Sequence, residues 1–262
     1  MNDYQVEVDG VPVNCTTFNH VLDTMDRTIR LRKSHEYISI TNTESMYHAS
    51  RIPKHLKYIK GASFSLCDGI GSVIAGYAFG HNVPRLTGPI LMLEACKYGV
   101  QKGWRHFFYG GNEGVAETLA AKLTEKNPGM ITAGTYFPPF RPLTLEEDRQ
   151  VVDIINKANP DIVWVGLGLL KQEQWIADHL NKIDVPWMIG VGAAFDFHSG
   201  TIPWAPKWIQ AIGMEWLFRL ILQPRQRFKR YYWSYIFMFE AIWHGLKGRM
   251  KQNFHRQFPE DR

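Results

Sequence analysis

Short apolar runs alternate with segments of helical periodicity from the N-terminus to about residue 200. Six of the runs predict strands, at 37–41, 64–67, 106–109, 130–134, 162–166 and 187–191. The segments around them predict helices at 18–32, 45–58, 71–79, 89–101, 114–127, 145–157 and 171–180. This alternation is typical of an α/β fold, here a Rossmann-like core in which helices cover both faces of a parallel sheet.

Aromatic and basic residues dominate the chain after about residue 200. Trp, Tyr and Phe are interspersed there with Arg and Lys, and Pro224 predicts a break between two helices. The longest uncharged run, 231–239, is far shorter than the roughly 20 apolar residues that span a bilayer. The sequence therefore predicts two parts, an α/β core at 1–200 and an aromatic and basic helical appendage at 201–262.

The positive charge of the protein is concentrated in this appendage. The formal net charge is +5, yet residues 219–256 carry nine Lys and Arg against the single acid Glu240. That segment is formally +8, and the other residues together are about −3. A segment of this kind is attracted to anionic lipid, to the phosphates of a substrate or to nucleic acid. Its aromatic character suits a membrane interface as well as docking on the core or on another subunit.

Other features of the sequence exclude several classes of protein. Residues 1–10 contain no basic stretch followed by an apolar run, so we expect a cytoplasmic protein. Cys15, Cys67 and Cys96 are odd in number and far apart, which argues against a disulfide framework and a zinc site. The chain has no D-x-D motif and no His or Cys cluster with metal-ligand spacing, so we expect no metal and no cofactor.

Glycines follow three of the predicted strands: Gly110 and Gly111, then Gly166 and Gly168, then Gly192. In an open parallel sheet, ligands bind outside the carboxyl ends of the strands, and glycine there lets backbone N–H groups approach a phosphate. Together the glycines predict a nucleotide site. Each one alone also suits an ordinary turn from a strand to a helix.

Polar side chains follow two other strands. Asp68, before Gly69, directly follows the second predicted strand, where its carboxylate can act as a general base. An Asp-Gly pair equally marks an N-cap or a turn. Thr41 and Asn42 end the first predicted strand and point to the same mouth of the sheet if the two strands are adjacent. The three side chains would then surround one substrate hydroxyl.

A diphosphate leaving group without a metal needs protein cations and helix N-termini. The cations near the predicted site or on the appendage are Lys171, Arg219, Arg225 and Arg227. Each of them also suits a solvated surface position.

Nine ordered blocks of sequence cover nearly the whole chain. They are DGxG at 68–71, RxTG at 85–88, FYGG at 108–111, GxYxPPF at 134–140, WVGLG at 164–168, KQExWI at 171–176, GVGAAFDFxSG at 190–200, APKW at 205–208 and GMEWLxR at 213–219. In this order they resemble the WecG/TagA/CpsF family of glycosyltransferases. Any single block is unspecific, whereas nine in order are strongly specific.

The resemblance implies a metal-independent, inverting glycosyltransferase of bacterial surface-polymer synthesis. Such an enzyme moves a sugar from a UDP-sugar to a polyprenyl-diphosphate-linked saccharide and works peripherally at the cytoplasmic face of the inner membrane. The expected partners are these two substrates and an anionic membrane surface, with no nucleic acid, and association with a second copy of the chain is left open.

The resemblance also implies roles for particular residues. Asp68 would deprotonate the acceptor hydroxyl, Thr41 and Asn42 would line the same cleft, and Gln172 and Asp196 would contact the donor. The appendage arginines would reach over the diphosphate when that segment closes. The remaining residues assigned to the substrate site are Arg85, Gly110, Gly111, Tyr136, Gly166, Gly168, Lys171, Glu173, Gly192, Arg219, Arg225 and Arg227.

The chain departs from the family pattern at three positions. Leu170 stands where proline is usual, Trp204 where arginine is usual and Ile90 where an acid is common. These changes bear on substrate identity more than on reaction class. The donor sugar is therefore left open between an N-acetylmannosamine type, glucuronic acid and glucose.

Two other classes of protein share parts of this pattern. An NAD-dependent oxidoreductase also has an α/β sheet with glycine turns, but the chain lacks a G-x-G-x-x-G fingerprint with an acid about 20 residues on. A basic nucleic-acid-binding protein would explain the charge. However, the cations lie beside a bulky apolar run, which favours lipid over DNA.

Overall fold

The computed structural model describes residues 3–257, with side chains described for residues 3–250. The strands are β1 (Tyr4–Val8), β2 (Val11–Cys15), β3 (Glu36–Thr41), β4 (Phe64–Cys67), β5 (Arg105–Gly110), β6 (Ile131–Tyr136), β7 (Ile162–Gly166) and β8 (Trp187–Gly190). The helices of the core are α1 (Phe18–Leu31), α2 (Thr43–Ala49), α3 (Pro53–Lys60), α4 (Ile70–Ala78), α5 (Gly88–Lys102), α6 (Val115–Lys126), α7 (Leu145–Ala158), α8 (Lys171–His179) and α9 (Ala194–Ser199). Three more helices follow, α10 (Lys207–Ala211), α11 (Glu215–Leu222) and α12 (Pro224–Gln257). The side chains of Lys251 and Arg256, counted above in the basic segment, lie outside the described set.

The six predicted strands form one sheet in the order β4-β3-β8-β7-β5-β6. All its neighbouring strands pair in parallel. Their carboxyl ends therefore lie along a single edge of the sheet. The chain runs from β3 outwards to β4 at the edge of the sheet and then crosses to β5, on the other side of β8 and β7.

Helices cover both faces of this sheet, as the α/β prediction requires. One face packs against α1, α5 and α6, and it includes Trp164 and Ile189, both fully buried. The other face packs against α7 and α8 through side chains such as Val163 and Met188. Alternate residues of β7 and β8 thus face opposite layers, which explains why these strands read as continuous apolar runs. The fold class is confirmed.

The N-terminal hairpin of β1 and β2 is absent from the sequence-based prediction. Asp9 and Gly10 join the strands with φ values of 49° and 78°. Positive φ at both central residues is the signature of a type I′ hairpin turn, which the Asp-Gly pair supplies. The side chain of Asn14 accepts a hydrogen bond from the backbone N–H of Ser65 at 2.8 Å, so the hairpin is fastened to β4.

The single helix predicted at 45–58 is wrong in extent, because the structure has two helices there, α2 and α3. Ile52 has φ −118° and ψ 99° and precedes Pro53, the first residue of α3. A residue before proline is driven out of the helical region, and proline itself suits the first helical position. The helix therefore stops and restarts at this point.

Helix α12 docks on the core. Pro224 begins it, which confirms the predicted break between two helices. Phe237 and Ala241 are fully buried in a cluster with residues of the hairpin, α2 and α4. An added Cβ on Gly245 would lie 2.5 Å from the carbonyl oxygen of Ala78, so the helix backbones approach closely. Among the described residues no helix is long and apolar enough to cross a membrane.

Phe237→Ala is expected to lower the free energy of unfolding by about 3–5 kcal/mol, because it removes a buried aromatic ring and leaves a cavity. Phe237 is 0% exposed, whereas Phe239 on the other side of the same helix is 66% exposed. Phe239→Ala is the matched control and should change stability by no more than about 0.5 kcal/mol. Denaturant unfolding measures both, and equal effects would contradict the observed docking of α12.

Candidate active site

Two neighbouring cavities lie at the carboxyl edge of the sheet. The larger has a volume of about 410 Å³ and lies between the end of β4, helix α4 and the helices α11 and α12. The smaller has a volume of about 80 Å³ and lies beyond the ends of β3, β7 and β8. The larger volume falls within the about 300–1,000 Å³ usual for small-molecule sites, and the smaller falls below it.

Five residues line both cavities: Asn42, Asp68, Arg219, Arg227 and Arg230. The first two end adjacent parallel strands, as the sequence predicts from their positions. The three arginines come from α11 and α12. Strand ends of the core and cations of the appendage therefore meet at one point between the cavities.

Asp68 is the carboxylate at this meeting point. Its backbone N–H donates to the carbonyl of Thr41 at 3.0 Å, which extends the pairing of β3 and β4 by one residue. Gly69 follows with φ 92°, a conformation that favours glycine and turns the chain into α4. Burial raises the pKa of the Asp68 carboxyl to about 6; Glu215 raises it further, while Arg219 and Arg85 oppose the shift.

Asn42 and Thr41 have different surroundings. The side-chain oxygen of Asn42 accepts from the backbone N–H of Ser45 at 2.9 Å and so caps α2 at the cavity wall. Thr41 is 0% exposed and lines neither cavity. Its hydroxyl pairs with those of Ser39 and Ser65 at 3.1 and 2.9 Å. The predicted trio around one hydroxyl is thus brought together only in part.

The three arginines differ in their partners. The guanidinium of Arg219 lies 4.3 Å from the centre of the Phe197 ring. Arg227 donates to the side-chain oxygen of Gln223 at 3.0 and 3.1 Å. Burial lowers the pKa of Arg227, and the charges of Arg219 and Arg230 lower it further. An anion between these groups would offset the repulsion among them.

Arg230 is a site residue that the sequence analysis missed. Its guanidinium donates to both carboxylate oxygens of Glu44, at 2.8 and 3.0 Å, which ties α12 to α2. A signal for it existed, since residues three apart on a helix share a face. Arg230 therefore lies on the same side of α12 as Arg227.

Gln172 lies at the bottom of the smaller cavity. It is 4% exposed, and its side-chain oxygen has no hydrogen-bond partner among residues 3–250. Its amide nitrogen donates to the neighbouring Glu173 at 3.2 Å. Burial raises the pKa of Glu173 to about 7. Glu173 lines neither cavity, so its contact with the site passes through Gln172.

The predicted glycines fall into two groups. Gly168 and Gly192 line the smaller cavity. Gly110, Gly111 and Gly166 line neither cavity and serve close packing: an added Cβ on Gly110 would lie 2.7 Å from the backbone of Gly166. These three glycines therefore fit the alternative explanation, an ordinary turn from a strand to a helix.

Five other predicted residues lie outside both cavities: Arg85, Tyr136, Lys171, Asp196 and Arg225. Arg85 donates to the carbonyl of Gln210 at 2.7 Å and pairs with Glu215 at 3.7 Å, so it holds α10 and α11 to the core. Tyr136 stacks on Tyr109 with ring centres 5.9 Å apart. Lys171 and Arg225 are exposed.

Asp196 is half-buried close behind the appendage arginines. Burial raises the pKa of its carboxyl, and the charges of Arg227 and Arg219 counteract this. Asp196 therefore adds negative potential behind these two arginines without facing either cavity.

Leu170 and Trp204, two of the departures from the family pattern, also lie near this region. Leu170 has φ 69°, which proline cannot adopt because its ring fixes φ near −65°; the turn into α8 therefore differs from a proline-containing one. The indole N–H of Trp204 donates to Glu215 at 3.2 Å. In the part of the chain with described side chains, no group of three His, Cys, Asp or Glu lies close enough to hold a metal ion.

Comparison with known proteins agrees with the nine-block resemblance. The profile described as "Glycosyl transferase WecG/TagA/CpsF family" matches residues 6–251. The chain is similar to an N-acetylglucosaminyldiphosphoundecaprenol N-acetyl-beta-D-mannosaminyltransferase of Bacillus subtilis (strain 168), with 28% identity over 85% of each chain. The chain is also similar to proteins of the same name from two other organisms. The identity to that of Bacillus spizizenii is 29% over 83% of this chain and 82% of the relative. The identity to that of Staphylococcus aureus (strain NCTC 8325 / PS 47) is 27% over 84% of this chain and 86% of the relative.

The match to the family spans both the sheet and the appendage helices that supply the arginines. The resemblance inferred from the sequence blocks is confirmed, and the oxidoreductase alternative is set aside. The chain belongs to the WecG/TagA/CpsF family of glycosyl transferases.

Proposed function

We propose that the protein transfers a sugar from a UDP-sugar to a polyprenyl-diphosphate-linked saccharide, with inversion at the anomeric carbon. The observation that carries this proposal is the position of Asp68, a carboxyl with a raised pKa, between two cavities and beside three arginines. The sequence-similar enzymes named above use an N-acetylglucosaminyl diphosphate-undecaprenol acceptor. The proposal adopts that class of acceptor.

The chemistry follows from these groups. Asp68 takes the proton of an acceptor hydroxyl while the oxygen forms a bond to the anomeric carbon of the donor. The bond from that carbon to the diphosphate breaks, and UDP leaves with the bonding electrons. Attack opposite to the leaving group inverts the anomeric carbon. Arg219, Arg227 and Arg230 stabilise the charge that develops on the diphosphate.

The smaller cavity is proposed to hold the donor diphosphate and its sugar. Gln172 supplies a buried oxygen there that has no hydrogen-bond partner among the described side chains, which suits a donor hydroxyl or amide N–H. Since the cavity measures about 80 Å³, entry of a whole UDP-sugar requires α11 and the start of α12 to move outwards. Closure of the appendage over the bound donor would then bring the arginines back to the diphosphate.

The donor sugar is proposed to be N-acetylmannosamine or a glucuronosyl or glucosyl residue. The relatives support the first. Trp204 stands where arginine is usual in the family. Its indole N–H donates to Glu215 and supplies no cation, which supports keeping the glucuronosyl and glucosyl donors.

Release of UDP by the purified protein tests the proposal. A panel of UDP-sugars is mixed with N-acetylglucosaminyl and oligosaccharyl diphosphate lipids in detergent, and UDP is measured with and without each acceptor. Acceptor-dependent release from one donor, with a product of inverted configuration by NMR, is the expected result. No release from any pair, together with no UDP binding by calorimetry, would contradict it.

The outer face of α12 is proposed to hold the enzyme against the membrane that carries its acceptor. Large apolar side chains recur there at helical spacing and are exposed, namely Phe228, Tyr232, Phe239, Trp243, Leu246 and Met250. Cations flank this stripe, and the ammonium of Lys247 lies 4.5 Å from the Trp243 ring centre. Aromatic rings beside cations suit the interface of an anionic bilayer. By contrast, the arginines nearest the core line the cavities, which does not favour nucleic acid as the partner.

The double variant Phe239→Asp/Trp243→Asp is expected to bind anionic vesicles at least tenfold more weakly, because each lost side chain contributes about 1.5–3 kcal/mol of apolar burial. Co-sedimentation with phosphatidylglycerol vesicles measures the partition. Leu145→Asp, at an 80% exposed position on α7, is the control and should bind normally. Unchanged binding of the double variant would contradict the proposal, as would a stable dimer formed through this face without lipid.

A further inference from the structure

The walls of the larger cavity are more apolar than a sugar and a diphosphate require. The walls include isoleucine, methionine and tryptophan side chains from α4, from α11 and the turn before it, and from α12: Ile70, Ile74, Ile212, Met214, Trp216 and Met238. Sugars are bound through hydroxyl groups, and diphosphates through cations and N–H groups. Apolar walls in a cavity of about 410 Å³ predict a hydrocarbon occupant for part of this space.

The larger cavity has charged as well as apolar lining residues. Asp68, Arg219, Arg227 and Arg230 stand at the end shared with the smaller cavity. The apolar walls include Ile74 and Ile212, which are 39% and 60% exposed and so lie at the surface. A ligand that matches both ends carries a diphosphate at one end and continues as a hydrocarbon chain towards the surface.

We propose that the larger cavity binds the first isoprene units of the polyprenyl acceptor, next to its diphosphate. This inference rests on the proposed function and extends it from the sugar to the lipid. Because the three arginines line both cavities, they can contact the acceptor diphosphate from the larger cavity while the donor diphosphate lies on their other side, in the smaller one. The acceptor sugar reaches Asp68, and the hydrocarbon chain passes between α4 and α12 to the apolar rim. Tyr235, 38% exposed, lies on both the cavity wall and the outer side of α12. The lipid would therefore leave the protein at the surface proposed to face the bilayer.

Calorimetric binding of a soluble prenyl diphosphate tests the assignment without a membrane and without catalysis. Farnesyl diphosphate is compared with inorganic diphosphate, using the full chain below the micelle-forming concentration of the lipid. We expect farnesyl diphosphate to bind at least tenfold more tightly, because its hydrocarbon chain is removed from water. Equal affinities would mean that only the diphosphate is recognised, which would overturn the proposal.

Ile74→Glu locates the chain in the cavity, because it places a carboxylate on the apolar wall. It should weaken farnesyl diphosphate at least tenfold and leave inorganic diphosphate within about twofold. Ile154→Glu is the matched control, since Ile154 is 42% exposed on a helix away from the cavity. Ser234→Phe, which fills the cavity from α12, serves as a second variant should Ile74→Glu unfold. Unchanged farnesyl diphosphate affinity in a folded variant would overturn the assignment.

The two proposals fail in different ways. Prenyl diphosphate binding that depends on Ile74, with no sugar transfer from any donor, would support the lipid site and reject the transferase reaction. Sugar transfer with no preference for a prenyl chain would support the reaction and reject the lipid site.

Discussion

Asp68→Asn is expected to lower the turnover of acceptor-dependent sugar transfer by about 10²–10⁴-fold, the usual contribution of a general base. The amide has the same shape as the carboxyl but cannot take the acceptor proton. UDP binding and thermal stability should stay close to those of the parent protein, because no described side chain hydrogen-bonds to the Asp68 carboxylate. Single-turnover kinetics measures the rate of transfer, titration calorimetry measures UDP binding, and thermal unfolding measures stability. A near-normal rate would remove Asp68 as the base.

The pH dependence of the parent enzyme gives an independent test of the same role. Burial raises the pKa of Asp68 to about 6, and a base acts only when it is deprotonated. The rate should therefore rise with pH up to about 6 and level off above it. Asp68→Asn should lose this rise in whatever activity is left.

Glu173→Gln provides the control for that assignment. Glu173 is another carboxyl in this region with a raised pKa, about 7, and it lines neither cavity. If Asp68 causes the rise, the step near pH 6 persists in Glu173→Gln. If the step disappears in this variant, the titrating group is Glu173 and the assignment to Asp68 is wrong.

The positions of Asp68 and Asn42 were predictable because they depend only on parallel pairing. Once β3 and β4 are parallel neighbours, residues that end both strands must meet at one edge of the sheet. Thr41 was not predictable in this way. Adjacent residues along an extended chain face opposite sides, so the side chain of Thr41 points to one face of the sheet. There its hydroxyl forms hydrogen bonds with those of Ser39 and Ser65.

The glycines after the strands indicate at which edge of the sheet the cavities lie, but they do not show which residues line them. Gly168 and Gly192 border a cavity, whereas Gly110 and Gly166 let two strand ends approach each other. Both requirements give the same residue type, so the sequence alone does not separate them. The Asp9-Gly10 hairpin is different, because the sequence does contain a specific signal for its turn.

The appendage shows the limit of charge counting. The excess of Lys and Arg predicted an anionic partner, but not which cations face inwards. Arg225 is exposed, whereas Arg227 and Arg230 line both cavities. This division depends on the rotation of α12 about its own axis relative to α2 and α4. Contacts such as the ion pair between Arg230 and Glu44, with an N–O distance of 2.7 Å, fix that rotation. That rotation became visible only in the three-dimensional structure.

Arg227→Gln is expected to lower kcat/KM for sugar transfer by about 10²–10³-fold, the usual effect of removing one preorganised donor to a developing negative charge. In the structure without substrate, burial and two neighbouring arginines disfavour the charge of Arg227 and lower its pKa. A diphosphate placed among these groups relieves the repulsion, so the arginine is poised for an anion. Arg227→Lys should restore only part of the activity, because an ammonium keeps the charge but loses the bidentate geometry.

Arg225→Gln is the matched control, because it removes the same charge at a position two residues before Arg227. Arg225 is exposed and lines neither cavity. Assays with a short-chain acceptor in detergent exclude any effect of attraction to a membrane. Under these conditions Arg225→Gln should change kcat/KM little, and the loss in Arg227→Gln should be accompanied by weaker UDP binding. Equal losses in both variants would mean that the appendage acts through its overall charge. A loss confined to Arg227 would mean that the cavity geometry selects which of its arginines take part in the reaction.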